Sequence, residues 1–269
     1  MNERNTARPI LSFEGVSLTY HTNTGETLAA KDMSFCVYEG EFIAVIGPSG
    51  CGKTTVLSLA AGLLKPSAGK IRVRGEKKGA EVFGYMLQRD ELFPWRTVEA
   101  NIFLPLEIQK KNTPENRNRA LSLAEKYGLG GFLKHYPDQL SGGMRQRAAL
   151  IRTLAIQPEI LLLDEPFSAL DYQTRLSVCD DVYNIIRSEK KTALLVTHDI
   201  SEAISVADRI LVLSARPASV VASHELEFGN TEPLKRRESP RFSSWFEILW
   251  KELKLSKKRA IAPPTMHYI

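Results

Sequence analysis

The segment GPSGCGKT, residues 47–54, constrains the fold of this 269-residue chain more than any other feature. It follows the apolar run 42–46 and precedes residues 54–61, whose composition is typical of a helix. A glycine-rich loop between a buried strand and a helix lets successive N–H groups and the positive end of the helix dipole face an anion. The pattern G-x-x-x-x-G-K-[ST] therefore predicts a phosphate-binding loop, in which Lys53 reaches the β- and γ-phosphates and the Thr54 hydroxyl is a Mg²⁺ ligand.

The rest of the chain alternates between strand-like and helical segments. Residues 10–46 have the apolar alternation of strands, interrupted by a polar turn at 21–26. Further strands are predicted at 70–73, 82–87, 160–163, 193–197 and 210–213, and helices at 172–188 and 200–206. This order predicts an α/β fold with a mostly parallel, doubly wound sheet. Between about 89 and 158 the pattern is mostly helical, with helices from 114 to Gly128 and from 144 to 156, which predicts an inserted helical lobe.

Composition excludes several classes of protein. The chain is 43% hydrophobic and 25% charged, which is ordinary for a globular protein. No apolar run approaches the roughly 18 residues that span a bilayer, so we expect no integral membrane protein. Residues 1–9 are polar, so we also expect no signal peptide. The three cysteines, Cys36, Cys51 and Cys179, are too scattered for a disulfide framework or a CxxC metal site, which favours a reducing, cytosolic compartment.

The net charge of +5 comes from one region. Residues 235–259 contain nine Lys and Arg against three Asp and Glu, so the remainder of the chain is almost neutral. Apolar residues recur in this region near helical spacing from Phe242 to Leu253, which predicts an amphipathic helix that packs on the body or on a neighbour. Its basic residues would then face water or the anionic head groups of a nearby membrane.

Two acids follow the aliphatic strand at 160–163. Asp164 at the end of such a strand is placed to hold Mg²⁺, directly or through water, and Glu165 to polarise an attacking water. A phosphate loop alone leaves GTPases, kinases, helicases and transport ATPases open. The absence of Asn-Lys-x-Asp argues against a common GTPase.

The motif LSGGMRQR at residues 140–147 decides between these classes. Ser-Gly-Gly before a helix again offers free N–H groups and a dipole end to an anion. Together with the motifs above, it resembles the signature of the ATP-binding cassette (ABC) ATPases, and the resemblance extends over residues 10–225 with every motif in order. It implies a P-loop NTPase fold with a mostly parallel core sheet, an antiparallel β subdomain and an inserted α-helical subdomain at about 89–158, followed by a basic extension, residues 226–269. Met144 stands where the commonest signature has Gln, which affects only rate tuning.

The resemblance also implies roles for individual residues. Glu165 would be the catalytic base, His198 the switch histidine at the γ-phosphate, and Gln88 a residue that touches Mg²⁺ and the attacking water while linking the two lobes. Metal ligands would be Thr54, Gln88 and Asp164. Tyr20 would stack on adenine, and each ATP would be held by the phosphate loop of one subunit and the signature of its head-to-tail partner. The 168–171 loop would communicate across the dimer. The residues implied at the nucleotide are Tyr20, Gly47, Pro48, Ser49, Gly50, Cys51, Gly52, Lys53, Thr54, Thr55, Ser141, Gly142, Gly143 and Asp171.

The implied function is ATP hydrolysis by one subunit of an importer. ATP and Mg²⁺ would be the cofactors. An ATP-dependent head-to-tail homodimer would work at the cytoplasmic face of the cell membrane, with two permease subunits and a periplasmic or surface solute-binding protein as its partners. The apolar cluster Leu92, Phe93 and Trp95 would either receive a coupling helix of the permease or pack in its own lobe. The segment 93–101, Met144 and the segment 214–217 resemble importer ATPases for nitrate, sulfonates and taurine, a branch that also serves thiamine-precursor-like compounds. The alternative is a soluble ABC ATPase acting on nucleic acid or the ribosome, with the basic extension as its binding arm. A single compact cassette argues against it, so nucleic acid is not an expected partner.

Overall fold

The computed structural model describes residues 8–22, 25–75 and 82–259. Residues 1–7, from the polar start, and residues 260–269, from the predicted extension, lie outside the described residues. The chain divides into two compact units. The first contains the described residues up to Gly75, Val196–Thr231 and the described residues from Lys235 onward. The second contains the described residues from 82 to Leu195 and Glu232–Leu234.

An antiparallel sheet of three strands belongs to the first unit. It is formed by β1 (Leu11–Thr22), β2 (Gly25–Val37) and β4 (Ala68–Val73) in the order β2-β1-β4. Phe13 and Phe35 are register partners and stack with their ring centroids 4.4 Å apart. This pair buries one face of the sheet, as the apolar alternation in the sequence predicts. The antiparallel β subdomain expected from the sequence is therefore present.

Parallel strands of the first unit carry the phosphate loop. These strands are β3 (Phe42–Ile46), which pairs in parallel with β8 (Arg209–Leu213), and β9 (Val220–Glu225), which adds to β8 in the antiparallel direction. All five residues of β3 are buried, as a strand covered on both faces requires. The helices are α1 (Lys53–Ala60), α6 (Ile200–Val206), α7 (Pro233–Glu238) and α8 (Pro240–Arg259).

A buried ion pair fastens the start of β8. Arg209 donates from Nε to Glu41 Oε1 at 2.7 Å, and both side chains are largely buried. Burial acts to lower the pKa of the guanidinium, but the hydrogen bonds and the charge of Glu41 outweigh it and raise that pKa. Because burial alone would disfavour either charge, the pair depends on both partners.

The second unit contains three strands and the predicted helical insert. Its strands are β5 (Phe83–Met86), β6 (Ile160–Asp164) and β7 (Thr192–Thr197). They lie in the order β5-β6-β7, and β5 and β6 are parallel. The last two residues of β7 belong to the first unit. Its helices are α2 (Val98–Ile108), α3 (Pro114–Lys126), α4 (Gly142–Leu154) and α5 (Tyr172–Ser188). Each helix begins after a side-chain cap, supplied in turn by Thr97, Thr113, Ser141 and Asp171. The predicted α/β fold with mostly parallel strands is confirmed.

Two helix boundaries differ from their predictions for local reasons. The helix predicted from 144 begins at Gly142, because the Ser141 hydroxyl accepts a hydrogen bond from the Met144 N–H at 3.3 Å. The helix predicted to end at Gly128 ends at Lys126, and Gly128 follows with φ of 77°. Among the helices in the described ranges, none combines the length and the apolar character needed to cross a bilayer.

Candidate functional site

The predicted phosphate loop lies between β3 and α1. Gly50 and Gly52 adopt φ of 71° and 113°, which side-chain-bearing residues rarely adopt. Gly47 is needed for a different reason, since a Cβ there would lie 2.8 Å from Cys51 Sγ and 3.1 Å from Leu213 Cβ. The glycines thus allow the loop to curl between the strand and the helix, the arrangement that aims N–H groups at an anion.

Lys53 holds this loop in shape. Its side chain is buried, and Nζ donates to the carbonyl oxygens of Gly47 at 3.1 Å and Pro48 at 3.2 Å. The ammonium group therefore lies inside the curve of the loop, next to the backbone on which phosphates would bind.

Cys51 fills space beneath the loop. The side chain is buried, and burial, as the largest influence, raises the pKa of its thiol. A thiol with a raised pKa is a poor nucleophile at neutral pH, which agrees with a packing role for this position.

Tyr20 reaches the same loop from β1. Its hydroxyl and the hydroxyl of Thr55 in α1 are 3.3 Å apart, within hydrogen-bond distance. The residue remains 38% exposed, so part of its side chain is accessible beside the start of α1. The structure thus places Tyr20 next to α1, and its stacking on adenine stays a prediction.

His198 is exposed at the end of β7, where a hydrogen-bond network shapes its turn. Thr197 donates from Oγ1 to the buried Glu202 Oε2 at 2.5 Å and accepts from the Asp199 N–H at 3.0 Å. Asp199 in turn caps α6 by accepting from the N–H groups of Ser201 and Glu202 at 2.7 and 3.3 Å. Sequence reasoning missed Glu202, although its position three residues after Asp199 is that of an acid in the first turn of a helix.

Gln88 and the segment after β6 form a second constellation. Gln88 Nε2 donates to Ser168 Oγ at 3.2 Å, and Ser168 Oγ donates to the carbonyl oxygen of Glu165 at 2.9 Å. Glu165 has φ of 45°, a sparsely populated conformation for a residue with a side chain. Such strain persists only where the surroundings impose it, and it is concentrated at functional sites.

Asp164 is buried immediately before this turn. It accepts a hydrogen bond from the Tyr85 hydroxyl at 3.2 Å. The three predicted metal ligands, Thr54, Gln88 and Asp164, each carry an oxygen donor. Oxygen donors suit Mg²⁺ and not a metal that prefers sulfur or nitrogen. Within the described ranges no three His, Cys, Asp or Glu residues group together as a metal cage.

The signature residues start α4 and pack against the next loop. A Cβ on Gly142 would lie 3.0 Å from Leu170 Cδ2, and one on Gly143 would lie 2.9 Å from Val178 Cγ2. Asp171, at the end of the 168–171 loop, caps α5, and hydrogen bonds from Thr174 hold the pKa of its carboxyl below the ordinary value. The structure thus brings the signature and the 168–171 loop together.

The Gly143→Ala variant is expected to lower the free energy of unfolding by about 1–3 kcal/mol, because the added methyl overpacks the contact with Val178. Gly131→Ala is the matched control, since a Cβ at that position meets no atom within 4 Å. Thermal unfolding followed by circular dichroism measures both. Equal melting temperatures for the two variants would show that α5 yields to the methyl group.

An ion pair that sequence reasoning missed joins the signature helix to the segment after Gln88. Arg145 donates from Nε to Asp90 Oδ2 at 3.1 Å and from Nη1 to the Leu140 carbonyl at 2.8 Å. Arg152, two turns further along α4, donates to the carbonyl oxygens of Asp90 and Glu91. No linear motif pairs residues 55 positions apart, so only the folded chain shows that the start of α4 and the Gln88 segment are coupled.

The predicted residues thus form two groups. Tyr20, the phosphate loop and His198 belong to the first unit, whereas Gln88, the signature, Asp164, Glu165 and Asp171 belong to the second.

Comparison with known proteins agrees with this set of motifs. A sequence profile described as ABC transporter matches residues 30–168. The chain is 45% identical to the uncharacterized ABC transporter ATP-binding protein YtlC of Bacillus subtilis strain 168, over 93% of this chain and 97% of that protein. The chain belongs to the ABC transporter family. Among its ABC relatives is the aliphatic sulfonates import ATP-binding protein SsuB of Bacillus licheniformis, at 42% identity over 86% of this chain and 89% of that protein.

Solved ABC cassettes have the same fold. A dimeric post-hydrolysis state of the ATP-binding cassette MJ0796 bound to ADP and Pi matches with a TM-score of 0.66 and 29% identity, over 81% of this chain and 99% of that chain. Another dimeric structure of MJ0796, a bacterial ABC transporter cassette, matches with a TM-score of 0.68 and 31% identity. This ABC protein therefore binds ATP and is an ATPase, and the P-loop NTPase fold predicted from the motifs is confirmed.

Proposed function

We propose that this ABC ATPase is the energy-coupling subunit of an importer that takes up a small solute of the nitrate, sulfonate, taurine or thiamine-precursor-like kind. The observation that carries the proposal is the 42% identity to an aliphatic sulfonates import ATP-binding protein over most of both chains. Separate permease subunits would form the transmembrane path, and a solute-binding protein would select the solute. The chain would work at the cytoplasmic face of the membrane as a peripheral subunit.

In this function the two groups of site residues act on one nucleotide. The loop from Gly47 to Thr55 binds the phosphates, with Lys53 at the β- and γ-phosphates, and Tyr20 stacks on adenine. Glu165 accepts a proton from the attacking water, and His198 contacts the γ-phosphate. The strained backbone at Glu165 and the capped turn before α6 hold the two side chains at defined positions.

Thr54, Gln88 and Asp164 would hold Mg²⁺, which when bound neutralises charge on the β- and γ-phosphates. The hydrogen bond from Gln88 to Ser168 ties this ligand to the loop that also carries Glu165. A change in the position of the metal would therefore shift the loop that carries the catalytic base, Glu165.

A second copy of the chain would complete each ATP site. Ser141, Gly142 and Gly143 of that copy, with Asp171 in the adjacent loop, would face the nucleotide held by the first. The two similar MJ0796 structures are described as dimeric, which supports a paired arrangement. ATP then stabilises the closed dimer because the signature residues of the second copy face the bound nucleotide only in that state.

The permease would dock on the aromatic pair Phe93 and Trp95. Their rings stack with centroids 4.9 Å apart, Trp95 is 71% exposed, and Phe93 is exposed as well. Leu92, by contrast, is buried. Of the two interpretations of this cluster, packing therefore accounts for Leu92, whereas the exposed pair favours docking. The limits of the ABC domain, residues 10–225, and of the extension, residues 226–269, stay predictions.

Co-purification tests the transporter function. When the chain is co-expressed with a candidate permease from its own genome and isolated from detergent-solubilised membranes, we expect a stable complex. Trp95→Ala is expected to lower the permease yield about tenfold or more, since exposed aromatic anchors dominate such contacts. The control Leu63→Ala, at a side chain that is also 71% exposed, should leave the yield unchanged. Absence of a complex together with salt-sensitive RNA or DNA binding would overturn the proposal in favour of a soluble ABC ATPase.

A further inference from the structure

A cleft of about 610 Å³ in the first unit joins the nucleotide site to the C-terminal helix α8. Part of its lining consists of Gly47, Pro48 and Ser49 of the phosphate loop and of His198 with the start of α6. The rest consists of Phe246, Trp250, Leu253 and Lys254, all from α8. The C-terminal extension thus forms a wall of the cleft onto which the phosphate loop opens.

This wall is anchored on the body of the unit. Leu249 is fully buried, and the His224 ring on β9 lies with Nε2 2.9 Å from both carboxylate oxygens of Glu252. Trp245 meets the same His224 ring edge-on, with centroids 5.5 Å apart. Residues 245, 249 and 252 therefore fix one face of α8, and the face that lines the cleft is held in place.

The face toward the cleft combines two aromatic rings and one cation. Phe246, Trp250 and Lys254 follow one another at four-residue spacing, so they lie on one side of the helix. The rings of Phe246 and Trp250 are nearly parallel, at 14°, and the Lys254 ammonium lies 5.1 Å from the centroid of the Trp250 ring. A cation–π contact of this kind keeps the lysine over the ring.

Among the described residues that line the cleft, Lys254 is the one lysine or arginine. Lys53 directs its ammonium at the carbonyl oxygens of the loop itself, and Asp199, which also lines the cleft, accepts hydrogen bonds from the N–H groups that begin α6. Lys254 lines the same cleft as Ser49 and His198. An anion bound on the phosphate loop and extending toward His198 would therefore enter the field of Lys254.

We propose that Lys254 recognises the γ-phosphate end of bound ATP, so that the C-terminal helix distinguishes ATP from ADP. The inference rests on the proposed function, in which His198 marks the γ-phosphate end of the site. It assigns to the basic extension a role in nucleotide selection. Because ATP carries more negative charge than ADP, the cation on α8 favours ATP.

Nucleotide affinities of charge-reversal variants test this role. In the presence of Mg²⁺, the full chain is titrated by isothermal titration calorimetry with AMP-PNP, a non-hydrolysable ATP analogue, and separately with ADP. Lys254→Glu is expected to weaken AMP-PNP binding about five- to tenfold and to leave ADP binding almost unchanged. Lys254→Arg should retain the preference for AMP-PNP. Lys251→Glu is the matched control, because Lys251 is also exposed on α8 but lies outside the lining of the cleft.

The outcomes separate this inference from the proposed function. Three results would overturn the role of Lys254 while leaving ATP binding intact. In the first, Lys254→Glu weakens the binding of AMP-PNP and ADP equally, and in the second it weakens the binding of neither. In the third, Lys251→Glu shows the same selective loss of AMP-PNP affinity. Failure of the unmodified chain to bind AMP-PNP would overturn the nucleotide-driven function and, with it, the inference.

Discussion

Replacing Glu165 with Gln is expected to lower the rate of ATP hydrolysis by about 10²- to 10⁴-fold while leaving ATP affinity unchanged. Gln retains the size and hydrogen-bonding ability of Glu but cannot accept the proton of the attacking water. The main-chain contact from Ser168 to the carbonyl oxygen at position 165 does not involve the altered group, so the loop should keep its shape. The measurement is phosphate release under saturating ATP, with affinity followed separately by nucleotide titration.

Glu125→Gln provides the matched control for this variant. Glu125 is an exposed residue of α3 and belongs to none of the motifs, so the same loss of a carboxylate should leave hydrolysis at the native rate. Turnover by Glu165→Gln at the native rate would show that another group accepts the proton. A parallel loss of ATP affinity would instead show that the variant damages the binding site.

Replacing Arg236 with Ala is expected to lower the free energy of unfolding by roughly 3–5 kcal/mol, about 10 °C in melting temperature. Arg236 has no exposed surface and lies in the basic region that sequence analysis assigned to the extension. Its guanidinium donates to the carbonyl oxygens of Thr231 at 2.8 Å, Ala207 at 2.7 Å and Gly229 at 3.0 Å. Removal would leave these acceptors buried without this donor and create a cavity where the side chain had been.

The location of these acceptors explains why the effect should be large. Ala207 ends α6, the helix that begins two residues after His198, and Arg236 also approaches the Ile204 carbonyl in the same last turn at 3.4 Å. A cation at the C-terminal end of a helix is further favoured by the helix dipole. Lys in place of Arg should recover only part of the stability, because an ammonium lacks the planar set of five donors.

Arg237→Ala is the neighbouring control for this prediction. Arg237 is half-buried, and its guanidinium lies 5.8 Å from the centroid of the Phe242 ring, a contact worth at most about 1 kcal/mol at a partly exposed site. Thermal unfolding of the two variants provides the comparison. Equal melting temperatures would refute the view that the buried guanidinium holds the end of α6.

Local sequence patterns predicted the position of most strands and helices. The helix over Tyr172–Ser188 and the helix over Ile200–Val206 match their predicted bounds, because each is preceded by an Asp that caps it and is carried by apolar residues at helical spacing. The strand Val220–Glu225 was not predicted. Only alternate residues of this strand are partly shielded from solvent. The segment is a strand because it pairs with β8, which a local pattern does not show.

Burial of individual side chains was beyond sequence reasoning. The same aromatic and apolar cluster after Gln88 contains the buried Leu92 and the 71% exposed Trp95, three positions apart. Likewise, nothing local distinguishes Arg236, which is fully buried, from Arg237 beside it. Both differences depend on which distant segment covers the residue, a property that short-range patterns do not contain.

The sequence by itself determined the chemistry of the site, because its motifs act through local geometry. Gly50, Gly52 and Lys53 specify a phosphate loop wherever a strand and a helix flank them, and the signature serine caps its own helix. Only the tertiary structure decided what surrounds these motifs. In the folded chain α8 lines the same cleft as His198, Arg236 donates to the carbonyl oxygen of Ala207, and Asp90 pairs with Arg145. Each of these arrangements joins residues that are tens of positions apart. Such contacts form when the chain buries its apolar faces, so they depend on the packing of whole elements.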